Sequence, residues 1–156
     1  MAVVSLEEIK RNIQPNTRLL GFDLGEKTIG LALSDTMLTV ATPLETLKRG
    51  KFGADAVVIE SLIQKHGVGG LVIGLPLNMD GTDGPSAQSA RAFARNFAAR
   101  TSLPIVFWDE RLSTAAVTRT LIEADSSRKR RSEVVDKMAA AYILQGVLDR
   151  LRAMGA

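Results

Sequence analysis

No cysteine occurs among the 156 residues, which excludes disulfides, thiolate metal sites and cysteine nucleophiles in one step. A single histidine, His66, leaves no multi-histidine metal site. Aromatic residues make up only 4% of the chain, so the core has to be aliphatic, and that suits buried parallel strands better than a stacking platform. No apolar run approaches the ~20 residues that cross a bilayer. Met1 to Gln14 mixes Glu7, Glu8, Lys10 and Arg11 with apolar residues and carries no hydrophobic leader. A soluble, cytoplasmic protein is expected.

What is present supports one domain over residues 1–156, with 1–17 as an N-terminal extension. Apolar residues form 46% of the chain, enough to bury a core without staples. Net charge is only +3, and its distribution matters more than its sum. Arg128-Lys129-Arg130-Arg131 sets four positive charges side by side.

Residues 1–17 read as a short helical or frayed lead-in closed by Pro15. Arg18 to Leu24 and Thr28 to Ser34 read as strands joined tightly through Glu26-Lys27, with a third around Thr39 to Leu47, broken by Pro43. Short links predict an antiparallel meander. The pattern then alternates. Ala54 to His66 is a helix whose apolar residues recur at Ala54, Val57, Val58 and Leu62, ended by Gly67. Gly70 to Leu75 is a strand covered on both faces. Pro76 to Gly84 is a loop, and Pro85 opens a helix burying Ala90, Phe93, Ala94 and Phe97. Leu103 to Trp108 is a strand, with Trp108 in the core. Ser113 caps a helix to about Ala124, and Ser132 caps a last one to about Leu151. The order β-β-β-α-β-α-β-α-α predicts an α/β fold, a mixed five-stranded sheet flanked by helices.

Three carboxylates stand out. Asp23 sits where the run Leu19-Leu20-Gly21-Phe22 reaches Leu24-Gly25, a place where a charge is costly unless paired or bound to a cation. Capping the strand end is the structural alternative. Glu110 follows Ile105 to Asp109 at a second strand end, with Arg111 next. A Glu110–Arg111 surface pair is its plain alternative, and Asp109, facing the other way by alternation, is a rival. Asp136 shares a helical register with Ala140, Ile143, Val147 and Leu151, so it points toward the sheet. Favourable interaction with the helix dipole is the structural reading there.

Together these are hard oxygen donors on separate elements, which suit Mg²⁺ or Mn²⁺ rather than Zn²⁺. Two such ions ~4 Å apart can activate water and stabilise a leaving oxygen in phosphoryl displacement. Neither a serine triad nor a Walker-type phosphate loop is available. Gly21, Gly25 and Gly30 also resemble the first phosphate loop of actin-type ATPases, but 156 residues cannot supply the two core copies that fold needs. The glycines instead predict a tight hairpin and close approach of a phosphate backbone.

Further candidates lie in loops. Asn78, Asp80, Thr82 and Asp83 are turn formers or contacts to substrate or metal. Arg111 and Thr114 are placed to orient a phosphate at a helix start. Arg128, Lys129, Arg130 and Arg131 are either a solvated loop or a phosphate-binding cluster, the latter favoured by their cost beside a helix N-terminus. His66, next to Gly67, is structural.

Gly21-Phe22-Asp23-Leu24-Gly25-Glu26-Lys27-Thr28-Ile29-Gly30 and Ile73-Gly74-Leu75-Pro76-Leu77-Asn78-Met79-Asp80-Gly81-Thr82 resemble motifs of the YqgF family, also called RuvX. So do Asp109-Glu110-Arg111-Leu112-Ser113-Thr114 and Asp136-Lys137-Met138-Ala139-Ala140. The resemblance runs from about Arg18 to Arg150. It implies an RNase-H-like fold similar to the RuvC resolvase and a Mg²⁺- or Mn²⁺-dependent nuclease maturing the 5′ end of 16S ribosomal RNA. Resolution of branched DNA junctions is the older proposal for the family. Its catalytic, metal-holding carboxylates correspond to Asp23, Glu110 and Asp136, and Lys27 joins the nucleic-acid contacts. In resolvases of this fold the middle carboxylate sits one strand earlier, where this chain has Leu75-Pro76. The contrasting hypothesis is a catalytically silent nucleic-acid- or protein-binding module that keeps the fold.

Overall fold

The structure, a computed structural model, describes residues 3–112 and 128–155, the side chains of 128–135 excepted. Strands β1 (Arg18–Leu24), β2 (Thr28–Ser34) and β3 (Ala41–Lys48) form the antiparallel meander. β4 (Val68–Leu75) and β5 (Ile105–Asp109) run parallel to β1, giving the order β3-β2-β1-β4-β5. β1 is therefore central, and β4 beside it is buried along its whole length. Pro43 does not break β3. It lies in an edge strand, where a missing donor is tolerated, and the register slips opposite it, between Leu31 and Ala32.

Helices α2 (Phe52–His66) and α3 (Pro85–Ala98) cover one face, and the long last helix α4 (Arg128–Ala153) covers the other. The α2–α3 side holds Phe22, Phe93 and Phe97 in its core, with Phe52 and Phe107 packed against them. Phe52 meets Phe93 edge-on at 5.5 Å, and Phe93 stacks on Phe97 at 6.0 Å. Such pairs add about 0.5–1.5 kcal/mol each beyond the area they bury. The predicted face of α2 is out of phase. Val57 and Val58 are 55% and 44% exposed, whereas Ala56 and Ile59 are buried. Asp55 travels inward with them and accepts the Gly50 N–H at 3.1 Å, which fixes the turn before the helix.

Of the two readings of the N-terminus, the helical one is observed. Ser5 and Glu8 form a reciprocal capping box at the start of α1 (Leu6–Asn12). Ile9 is buried against α4, Lys10 Nζ donates to the Leu151 carbonyl at 3.0 Å, and Val4 N–H donates to Ile105 O at 2.8 Å. The basic run also moves. α4 already includes Arg128 to Arg131, so Ser132 lies inside the helix and does not cap it. The predicted helix from Ser113 to about Ala124 lies outside the described residues. No helix among the described residues is long and apolar enough to cross a membrane.

Candidate active site

Asp23 is the last buried residue of β1, at 5% exposure, on the central strand at its carboxyl end. It stands directly across from Gly30 in the antiparallel ladder, so both face the same side of the sheet. Gly21, two residues earlier, faces that side too. Phe22 pairs with Ile73 in β4, so the next residues, Asp23 and Gly74, share this face as well.

That face belongs to α4, and glycine decides how near the helix comes. A Cβ at Gly30 would fall on the Asp136 carbonyl oxygen. A Cβ at Gly21 would stand 2.8 Å from Leu144 Cβ, and one at Gly74 would stand 2.5 Å from Ile143 Cδ1. The helix backbone thus rests on the sheet backbone at β2 and β1, while at β4 the Ile143 side chain fills the space above Gly74. The close approach expected of Gly21 and Gly30 is real, but a protein helix makes it and not a phosphate backbone. Gly25 does serve the tight hairpin, donating its N–H to Thr28 O at 2.9 Å. Ala140, Ile143, Val147 and Leu151 are buried, as the register of Asp136 requires. The Asp136 carboxylate accepts a hydrogen bond from the Thr28 hydroxyl, at the start of β2.

Glu110 opens a single 3-10 turn (Glu110–Leu112) just after β5 and is 8% exposed. Its Oε2 lies 3.1 Å from where a Gly74 Cβ would stand. The carboxylate therefore reaches back over β4, the strand that ends at Leu75, just before Pro76. It makes no surface pair with Arg111. That guanidinium binds Asp109, Nη2 to Oδ2 at 2.7 Å, and its hydrogen bond holds the Asp109 carboxyl below the usual carboxylate range. Asp109 is thereby separated from Glu110 by strand alternation and by its partner.

Asp23, Glu110 and Asp136 thus meet one face at one edge of the sheet. They do not form a closed cage: among the described residues no three His, Cys, Asp or Glu side chains are grouped to hold an ion. The donor chemistry still fits a hard divalent cation, because the set is all oxygen and two members are withdrawn from water.

The other predicted residues fare differently. Asn78 Nδ2 donates to Thr82 Oγ1 at 3.0 Å and Asp80 accepts the Thr82 hydroxyl at 2.6 Å, so both serve the loop's own turn. Asp83 pairs with Arg91 at 2.6 Å. Arg111 straps the same loop through the Met79 carbonyl at 3.1 Å. Lys27 is exposed on the β1–β2 turn. Thr114 and the side chains of Arg128, Lys129, Arg130 and Arg131 lie outside the described part of the chain. Arg49 was not foreseen. Its N–H donates to Lys27 O at 2.8 Å and its Nη1 to Gly25 O at 2.6 Å, clasping the turn that follows Asp23. The available signal was the run Lys48-Arg49-Gly50-Lys51, three cations beside a glycine.

Comparison with known proteins bears on the family and the fold. The RuvX family model, described as Holliday junction resolvase, matches residues 17–150. A protein of Paramagnetospirillum magneticum named "Putative pre-16S rRNA nuclease" is 60% identical over 149 residues, covering 96% of each chain. One of the same name from Methylocella silvestris is 59% identical over 154 residues, covering 99% of this chain and 96% of its own. Among solved structures, Thermus thermophilus RuvC in complex with a Holliday junction substrate has a TM-score of 0.55 at 13% identity, covering 89% of this chain and 98% of that one. The yeast mitochondrial Holliday junction resolvase has a TM-score of 0.50 at 11% identity, covering 96% and 86%. At these identities the likeness is one of fold.

Proposed function

This chain belongs to the RuvX family, and from that membership we propose that it is a divalent-metal-dependent endonuclease cutting phosphodiester bonds in structured RNA, most specifically at the 5′ end of pre-16S ribosomal RNA. The observation that carries the reading is the shared face and edge of Asp23, Glu110 and Asp136, with α4 lowered onto Gly21 and Gly30. Asp23 and Glu110 would hold the cation as buried carboxylates, and Asp136 would complete the set from the helix. When bound, Mg²⁺ or Mn²⁺ supplies Lewis-acid stabilisation of charge building on the phosphodiester.

The chain's own residues do the positioning. Thr28 fixes the Asp136 carboxylate by donating its hydroxyl proton in a hydrogen bond. Arg49 holds the turn after Asp23, and Arg111 with Asp109 braces the 78–83 loop beside Glu110. The aliphatic wall of α4 behind the carboxylates excludes water and strengthens every charge interaction in front of it. Backbone contacts are assigned to Lys27, Asn78, Arg111, Thr114 and to Arg128, Lys129, Arg130 and Arg131, cations that weaken the start of α4 unless phosphates neutralise them.

Branched DNA is the second reading, favoured by the family's description as Holliday junction resolvase. A single panel decides between them: precursor 16S RNA and a four-way DNA junction, each incubated with Mg²⁺, Mn²⁺ or EDTA. Faster cleavage of the RNA, lost in EDTA, is the expected result. Faster cutting of the junction would transfer the assignment to DNA, and cleavage of neither would leave a silent binding module.

A further inference from the structure

We infer that the chain carries a second phosphate-binding site, for the sugar–phosphate backbone of the substrate, on the opposite face of the sheet from the carboxylates. The inference rests on the nuclease reading only for the identity of the ligand. A cavity of about 300 Å³ opens at the carboxyl end of β1, lined by Leu24, Gly25, Glu26, Arg49, Pro85, Ser86 and Ser89. Leu24 follows Asp23 and packs into the α2–α3 core, so this cavity and the carboxylates flank one strand end from its two sides.

Its chemistry is that of an anion site. Arg49 is held rigidly, with Nη1 on the Gly25 carbonyl and its guanidinium 6.0 Å from the Phe93 ring centre. Among the described residues it makes no ion pair with a carboxylate. A cation held in place but not neutralised, with further N–H donors to offer, suits a phosphate oxygen. Asp55 contributes by fixing Gly50, so the link that presents Arg49 is itself anchored. Lys48 and Lys51 flank Arg49 and are exposed, and Lys48 pairs across the ladder with Thr28, beside Lys27. The hydroxyl residues Ser86 and Ser89 form the facing wall. No side chain caps the helix start there, and its first turn has no acidic residue. Glu26 is the one carboxylate of the lining, and it is exposed on the turn.

A strand crossing the carboxyl edge of the sheet would meet the carboxylates on one side and this cavity on the other. The cavity is a clamp for a phosphate next to the one being cut, and it takes no part in bond breaking.

The test is binding of a single-stranded RNA oligonucleotide in EDTA, where nothing is cleaved, at several salt concentrations. Ser86→Asp fills the cavity with negative charge while favouring the helix dipole, so the variant should melt no lower than wild type. It should nevertheless bind more weakly, with a log–log salt slope shallower by ~0.7 for each phosphate that the protein no longer neutralises. Glu26→Gln should bind more tightly, an opposite sign that general damage cannot mimic. Ser89→Ala provides a milder loss should Ser86→Asp misfold. Inorganic phosphate alone should compete only at concentrations far above those of the RNA. Wild-type affinity and slope in Ser86→Asp and Ser89→Ala, with the wild type still cutting RNA, would overturn the clamp and leave the nuclease reading intact. Displacement of RNA by micromolar phosphate would also overturn it, as a free-anion site. No RNA binding by the wild type would remove both.

Discussion

The two faces of this sheet are built from opposite materials. Toward α2 and α3 lie all five phenylalanines, bulky rings that fill the space between two helices and the strands. Toward α4 the strands present Gly21, Gly30 and Gly74; the helix backbone descends onto Gly21 and Gly30, and side chains of Ile143 and Glu110 close over Gly74. Bulk on one side stabilises the domain. Its removal on the other lets a short aspartate on a helix reach the end of a strand, and it leaves room for Glu110 to fold back over β4. On the proposed function, the face with the least side chain is the one that does the chemistry.

The neighbours Asp109 and Glu110 divide between these faces and break the comparison most sharply. Glu110→Gln should abolish cleavage, since it removes a charge from the carboxylate face. Asp109→Asn should leave cleavage within a few-fold of wild type and loosen only the Arg111 strap, a surface pair worth about 0.2–1 kcal/mol. Single-turnover rates for both variants make the test. Loss of cleavage in Asp109→Asn with retention in Glu110→Gln would exchange their roles.

Packing variants come next in size. Phe97→Ala should cost about 3–5 kcal/mol of stability, while the protein that remains folded keeps its cleavage rate per molecule. Gly30→Ala adds one methyl yet pushes against the Asp136 carbonyl, and overpacking of this kind costs about 1–3 kcal/mol. Its cleavage rate should fall far more than its stability does. Urea melts paired with rates at 25 °C separate the two outcomes. Equal activity loss in both variants would mean that helix distance does not govern the site.

Much of this could be read from the residues alone. Arg18–Leu24 and Thr28–Ser34 declare themselves because apolar runs end in a glycine turn, and the phase of Asp136 follows from four aliphatic residues spaced along one helix. Two features could not be read in that way. In α2, Val57-Val58 compete with Ala56 and Ile59 for the buried phase, and the outcome is set by Phe52, Ala56, Ile59 and Ile63 meeting the core together, a packing partner that lies outside the helix's own sequence. Gly21 and Gly30 look alike whether a phosphate or a helix approaches, since a missing side chain records proximity and not the identity of the neighbour.

Asp136→Asn tests whether the carboxylates act as one cluster, and the effect is smaller. Like charges on one face repel when no cation is present, so the variant should melt slightly higher in EDTA. Asn keeps an acceptor for the Thr28 hydroxyl, so that contact survives. Mg²⁺ should raise the melting temperature of the wild type more than that of the variant, because an ion bound only to the folded state stabilises it by mass action. A variant that melts lower in EDTA, with an undiminished Mg²⁺ shift and normal cleavage, would make Asp136 a structural residue.

The smallest effect contrasts the carboxylates of the glycine face with one that merely holds a turn. Asp35 closes the β2–β3 hairpin at the other end of the sheet. It accepts the Thr39 hydroxyl at 2.6 Å, the Thr39 N–H at 2.7 Å and the Val40 N–H at 3.0 Å. These donors, the Thr39 hydroxyl foremost, lower its pKa from 3.8 to about 2. A group whose folded pKa is depressed contributes stability that is complete above its unfolded value and lost as pH falls through the folded one. The contribution of Asp35 should therefore fade between about pH 4 and pH 2 and be constant above that window. Other carboxylates titrate in the same range, so the useful quantity is the difference between wild type and Asp35→Asn, measured by urea unfolding at each pH. That gap should be a plateau from pH 5 upward and close toward pH 2, with cleavage at neutral pH unchanged. A gap that stays constant down to pH 2 would mean that the charge of Asp35 contributes nothing and that hydrogen-bond geometry alone holds the hairpin.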